Sequence, residues 1–147
     1  MRSNRNINYK KILSSFLHQN GTPFFNAKGV AVGVFSGCFP FFGLQTLFGI
    51  LLAKIARGNI LLAAIGTWIS NPFTYIPLYY FNYKVGSILL KDSSKITLDK
   101  KLLINDLWEQ GRMFSIRLLL GSSFVGLFFA FISGFVIFLL YKIKKKG

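Results

Sequence analysis

Three stretches of the chain carry no charge: residues 29–53, 58–83 and 118–141. At 25, 26 and 24 residues, each exceeds the roughly 20 apolar residues that a helix needs to cross a bilayer core. Around them the pattern changes. Residues 7–20 (INYKKILSSFLHQN) place Ile12, Leu13, Phe16 and Leu17 on one helical face, with Lys10, Lys11 and His18 elsewhere, and Gly21-Thr22-Pro23 supplies a stop. A helix lying in a membrane interface and a helix packed on the rest of the protein both fit that spacing. Segment 84–117 is the one long polar connection. It holds all four acids, Asp92, Asp99, Asp106 and Glu109, and spaces Leu98, Leu102, Leu103, Leu107 and Trp108 as an amphipathic helix would. The pattern predicts an all-α integral membrane protein, a helical bundle of about three hydrophobic segments. Its membrane domain is 29–141. A basic N-terminus with a short amphipathic helix precedes it (1–28), and a basic tail follows (142–147).

Two of the apolar runs contain helix breakers. In GVAVGVFSGCFPFFGLQTLFGILLA (29–53), Pro40 and Gly43 interrupt the middle and Gln45-Thr46 follow. In the second run, Asn71-Pro72 sits at the centre and Pro77 lies five residues after Pro72, with Thr67, Ser70 and Thr74 close by. Proline removes a backbone donor and collides with the preceding turn. Lipid offers no replacement hydrogen bonds, so backbone freed at a break must be satisfied by protein or by a water-filled cavity. Nearby Ser, Thr and Asn can do this locally, which is a purely structural role. Broken helices with polar linings also build transport sites. Pro40-Phe41 and Pro72-Phe73 each put a Pro-Phe pair inside an uncharged run after a Gly, 32 residues apart, which fits a duplicated helix–break–helix unit, and chance in a chain with 17 Phe fits nearly as well.

Charge supplies the topology. The net charge is +14, from 18 basic and four acidic residues. Basic residues flank the apolar runs, which is the membrane pattern and not that of a nucleic-acid surface. If all three runs span, one strongly basic terminus lands outside. If 29–53 folds back as a re-entrant hairpin, both termini, Lys54 and Arg57 share the cytoplasmic side, and the acid-bearing connection faces out. The first apolar run starts too late and runs too long for a cleaved signal peptide.

The break residues also carry a family resemblance. The chain resembles the uncharacterised bacterial membrane family known as domain of unknown function 2062. The match runs through Thr22-Pro23, AKGVAVGVFSGCFPFFGLQT (27–46), Arg57-Gly58-Asn59, GTWISNPFTYIPLYY (66–80) and Lys84-Val85-Gly86. The positions carried over are Gly33, Pro40, Gly43, Gln45, Thr46, Asn59, Gly66, Asn71, Pro72, Thr74, Pro77 and Gly86. The resemblance covers roughly residues 7–141. It implies a multi-pass protein of the bacterial plasma membrane and no established activity. Some relatives are joined to glycosyltransferase-like domains, which implies an envelope glycosyltransferase-type partner.

Little in the sequence suggests an enzyme. The chain has one histidine, His18, and one cysteine, Cys38, which lacks a nearby base. No metal-ligand spacing and no phosphate-cradling loop is present, so neither metal nor cofactor is expected. The expected function is non-enzymatic: a polar cavity at the breaks that assists passage of a lipid, a lipid-linked sugar or a small solute. The candidate positions are Pro40, Gly43, Gln45, Thr46, Asn59, Thr67, Ser70, Asn71, Pro72, Thr74 and Pro77. The alternative is a scaffold for an envelope enzyme, docking through small-residue faces such as those of Gly33 and Gly121. Expected partners are the lipid bilayer and a second copy of the chain, since three segments alone do not enclose two breaks.

Overall fold

The computed structural model describes residues 21–41, 43–91 and 104–144, and of 104–109 the backbone alone. The amphipathic helix expected over 7–20 lies outside the described residues. All regular structure within them is helical: α1 (Pro23–Gly37), α2 (Gln45–Ile55), α3 (Ile60–Gly66) with a 3-10 turn Thr67–Ile69, α4 (Tyr75–Leu89) and α5 (Ile104–Lys144).

The breakers divide the chain where the sequence predicts: neither 29–53 nor 58–83 forms one long helix. Among the described residues, one helix is long and apolar enough to cross a membrane, over Gln110–Lys144. The polar connection shrinks as well: α4 runs on to Leu89 and α5 begins at Ile104. Charged residues such as Lys84 and Arg112 sit on helices without ending them, because helix propensity is indifferent to a solvated or snorkelling charge.

Helix starts and stops follow local chemistry. Thr22 caps α1 through Oγ1, which accepts from Phe25 N at 3.2 Å, and Pro23 takes the first helical position, where its missing N–H costs nothing. Gly43 has φ +80°, and this left-handed residue turns the chain from α1 into α2. α2 ends in a Schellman motif: Gly58 N donates to Ala53 O (2.8 Å) and Arg57 N to Lys54 O (3.2 Å). Arg57 holds the left-handed position at φ 52°, where glycine is usual. Asn59 Oδ1 caps α3, accepting from Leu61 N and Leu62 N at 3.0 and 3.1 Å.

Packing fixes the directions. Lys28 meets Ala56, Gly33 meets Gly49, and Ser36 meets Gln45, so α1 and α2 form an antiparallel hairpin. Gly29, Gly33 and Gly37 meet Asn59, Ala63 and Thr67, so α3 runs parallel to α1. At Gly33 a Cβ would collide with the Ala63 carbonyl; only hydrogen lets these backbones touch. Along α5, Gly134 faces Ala31, Gly126 faces Phe35, Ser122 faces Asn82, and Arg117 faces Gly86. α5 is therefore antiparallel to both α1 and α4, which follow one another along its length. At about 1.5 Å per residue, α1 is about 22 Å long and α2 about 16 Å, too short to cross a ~30 Å hydrocarbon layer as helices. Residues 60–89 rise past them as one broken path.

The outer surface is strongly apolar. Phe73, Ile76, Trp68 and Phe131 are each more than three-quarters exposed. Only 22% of the most apolar window of α5 is buried. The buried set, by contrast, is rich in small and polar residues: Ala53, Ala63, Cys38, Asn26, Ser36, Thr67, Asn82 and Ser122.

Candidate functional site

The two breaks lie side by side. The first follows the C-terminus of α1, where Cys38 N and Phe39 N still donate back to the carbonyls of Val34, Phe35 and Ser36. Side chains of α4 reach the carbonyls just beyond. Asn82 Nδ2 donates to Cys38 O (2.9 Å), and Tyr79 OH donates to Phe39 O (3.2 Å). The same Nδ2 also donates to Ser122 Oγ of α5 at 2.9 Å, so one amide ties three helices at one level.

The second break is joined to the first through α2. Gln45 Nε2 donates to Ser70 O (3.3 Å) and to Tyr75 OH (3.4 Å). Ser36 Oγ donates to Gln45 O at 3.0 Å. Thr67 Oγ1 gives its proton to Ala64 O (2.7 Å), so Thr46 is the donor in the 3.0 Å hydroxyl pair of Thr46 and Thr67.

Asn71-Pro72 opens a hydrogen-bonded turn that leads into α4, and is not a kink within a continuous helix. Asn71 Oδ1 accepts from Phe73 N and Thr74 N at 2.9 and 3.2 Å. Thr74 Oγ1 accepts from Asn71 N (2.8 Å) and donates to Ile69 O (2.8 Å). This reciprocal pairing is a capping box with proline at its first position. The break thus satisfies most of its own backbone groups.

Of the predicted site residues, Gln45 and Thr46 meet Ser70 and Thr67 across the junction, Asn71 and Thr74 pair within the second turn, and Pro40, Gly43 and Pro72 sit in the turns themselves, Gly43 and Pro72 exposed. Pro77 lies exposed on the first turn of α4. Asn59 does not join them. It caps α3 at the opposite end of that helix, where its Nδ2 donates to Asn26 Oδ1 at 2.8 Å and its backbone N donates to Phe25 O at 3.1 Å. Sequence reasoning missed Asn82, Ser122, Tyr75 and Tyr79 as junction residues. Asn82 was legible in principle, as an amide inside an uncharged run, but no neighbouring helix breaker marks it.

A family model described as "Uncharacterized protein conserved in bacteria (DUF2062)" matches residues 8–147. The chain belongs to that family. No curated protein and no solved structure matches it. Apart from Asn59 and Pro77, the positions that carry the resemblance fall into two physical groups. Gly33, Gly66 and Gly86 are close backbone approaches, with Cβ atoms excluded by Ala63 O, Val30 O and Arg117 O. Pro40, Gly43, Gln45, Thr46, Asn71, Pro72 and Thr74 shape the junction.

Chemically the junction offers amides, hydroxyls and backbone carbonyls. Two amide oxygens, Gln45 Oε1 and Asn82 Oδ1, are buried there without a hydrogen-bond partner. A buried acceptor without a partner costs about 1–3 kcal/mol. The two oxygens leave unused accepting capacity inside the junction. Cys38 is wholly buried, its backbone carbonyl engaged by Asn82.

Proposed function

We propose that this is a multi-pass protein of the bacterial plasma membrane that assists passage of a polar or amphiphilic molecule, a lipid, lipid-linked sugar or small solute, past the junction of its two breaks. The observation that carries this reading is the pair of buried, unpartnered acceptors, Gln45 Oε1 and Asn82 Oδ1, where two helix ends meet. The apolar outer surface supports the membrane placement. In this reading α5 and the broken path α3–α4 cross the bilayer, and α1–α2 is a re-entrant hairpin. Lys28, Lys54, Arg57, Lys142 and Lys144 share one end, and the positive-inside rule makes that end cytoplasmic, with both termini. The protein acts without enzymatic chemistry, and a second copy completes the wall around the junction.

The test is reconstitution. Liposomes carrying the protein and fluorescent phosphatidylglycerol are treated with dithionite, which bleaches outer-leaflet probe only. The expected result is bleaching beyond half the probe, slowed about tenfold in Gln45→Leu at a temperature where that variant is still folded. Proteoliposomes that protect inner probe as well as empty ones, for this lipid and for a lipid-linked sugar and a trapped solute, overturn the reading.

A second reading is a scaffold for an envelope glycosyltransferase-type partner. It is favoured by the number of junction side chains that already hold backbone groups. Gly33 and Gly121 are no longer its docking positions, since both are used inside the chain against Ala63 and Asn82. The outer aromatic face of α5 at Phe128 and Phe131 takes that place, and Phe131→Ala should then lose a crosslinked partner.

A further inference from the structure

A groove between α1 and α5 lies at the basic end, away from the junction. Its volume is about 360 Å³. Phe24, Ala27 and Ala31 form one side and Phe131, Phe135 and Phe138 the other. It runs about 11 Å along α1, from residue 24 to 31, at ~1.5 Å per residue. That is close to the depth of one leaflet, roughly 15 Å.

We infer that this groove holds an acyl chain of an anionic phospholipid, with the lipid phosphate met by Lys28, Arg57 and Lys142. The inference rests on the membrane placement above and not on passage through the junction. One cation, Lys28, lines the groove, and a second, Lys142, lies against the ring of a lining residue. Lys28 Nζ lies 5.1 Å from the Phe24 ring centroid, and Lys142 Nζ lies 5.8 Å from that of Phe138. Lys28 Nζ is further pinned by a 2.6 Å hydrogen bond to Ala56 O. The next residue is Arg57, exposed and held at φ 52°. An arginine at a position that suits glycine is an unfavourable choice for the helix end alone. It is explained if a guanidinium is wanted at this rim, since guanidinium binds phosphate in a fixed fork. No acidic side chain occurs among the described residues at this end. Each basic residue near an anionic surface strengthens attachment, so the rim and groove together favour a charged headgroup over a zwitterionic one. A second copy docked here by two-fold symmetry would bring the same cations face to face, which disfavours it.

The test uses the full chain in detergent, with native mass spectrometry and thermal melts against added phosphatidylglycerol or phosphatidylcholine of equal chain length. One phosphatidylglycerol should bind per chain and raise the melting temperature more than phosphatidylcholine does. Arg57→Gln with Lys142→Gln should weaken phosphatidylglycerol at least tenfold and leave phosphatidylcholine unchanged. Ala31→Phe, which fills the groove, should remove both; Phe135→Ala, an exposed wall residue, should weaken both if the filled variant fails to fold. Equal affinity for the two lipids, a double variant that binds like the wild type, or a dimer in place of bound lipid overturns the proposal. Carbonate extraction separates the two failures. A chain that stays in washed membranes yet shows no lipid preference defeats the lipid site alone, whereas a chain released by carbonate defeats the membrane placement first.

Discussion

Gly111 and Gly121 lie about three turns apart on α5, and the same substitution should act on them with opposite sign. A Cβ at position 111 meets nothing within 4 Å. Gly111→Ala therefore gains only the helix-propensity difference, about 0.5–1 kcal/mol of stabilisation. At position 121 a Cβ would collide with the Asn82 carbonyl and crowd Gly86 N. Backbone cannot rotate out of the way as a side chain can, so α4 and α5 must separate. Overpacking of this kind costs about 1–3 kcal/mol. The neighbouring Asn82–Ser122 and Asn82–Cys38 bonds would stretch with it, at about 1 kcal/mol each. Set against the same propensity gain, Gly121→Ala should lose about 2–4 kcal/mol. Gly126→Ala, whose nearest neighbour is the flexible Phe35 ring at 3.1 Å, should fall between. Equilibrium unfolding of the three variants in one mixed-detergent system, followed by tryptophan fluorescence, gives the order. If Gly121→Ala is as stable as Gly111→Ala, the close α4–α5 contact does not exist and the junction described above loses its third wall.

Other substitutions probe the caps and the junction. Asn82→Leu and Ser122→Ala should be coupled in a double-mutant cycle by about 0.6 kcal/mol, with ~1.7 as an upper value for such polar pairs in membranes, and zero coupling would mean the bond is absent. Asn59→Ala should cost about 0.5–2 kcal/mol through loss of the α3 cap, and Asn59→Asp less, since it keeps the accepting oxygen but not the donor to Asn26; equal losses would refute the cap. Arg57→Gly should stabilise the chain by up to about 1 kcal/mol while weakening phosphatidylglycerol binding, an opposition that a purely structural arginine would not produce. Cys38, at 0% exposure, should react with a membrane-impermeant maleimide only after denaturation; rapid labelling of the native protein from either face would place water beside the first break.

Much of the local structure was legible because it is local. Pro40 and Gly43 marked the first turn, and only a residue tolerant of positive φ suits Gly43's place. Thr22-Pro23 and Asn71-Pro72 are local chemistry written in adjacent residues, although the first reads as a stop and instead starts α1, and the second reads as an interruption and forms the capped turn ahead of α4. The number of crossings is not legible in the same way. An apolar run reports what surrounds a segment, and the breakers in 29–53 and 58–83 mark where each run divides, not how often the chain crosses. Asn59 was grouped with the break residues because it shares their chemistry, and its distance from them is a matter of helix length and direction that no spacing rule supplies.

The sequence by itself determined the helical class, the apolar exterior, the sites of both breaks and the clustering of charge beside the apolar runs, since each depends on residues within a turn or two of one another. The tertiary structure alone decided which helix ends meet. Contacts such as Gln45 with Ser70, Tyr79 with Phe39 and Asn82 with Cys38 join residues 25 to 44 positions apart. They exist because glycines at 33, 86 and 121 let backbones approach to touching, and because carbonyls orphaned at a helix end must find a donor wherever the packing brings one.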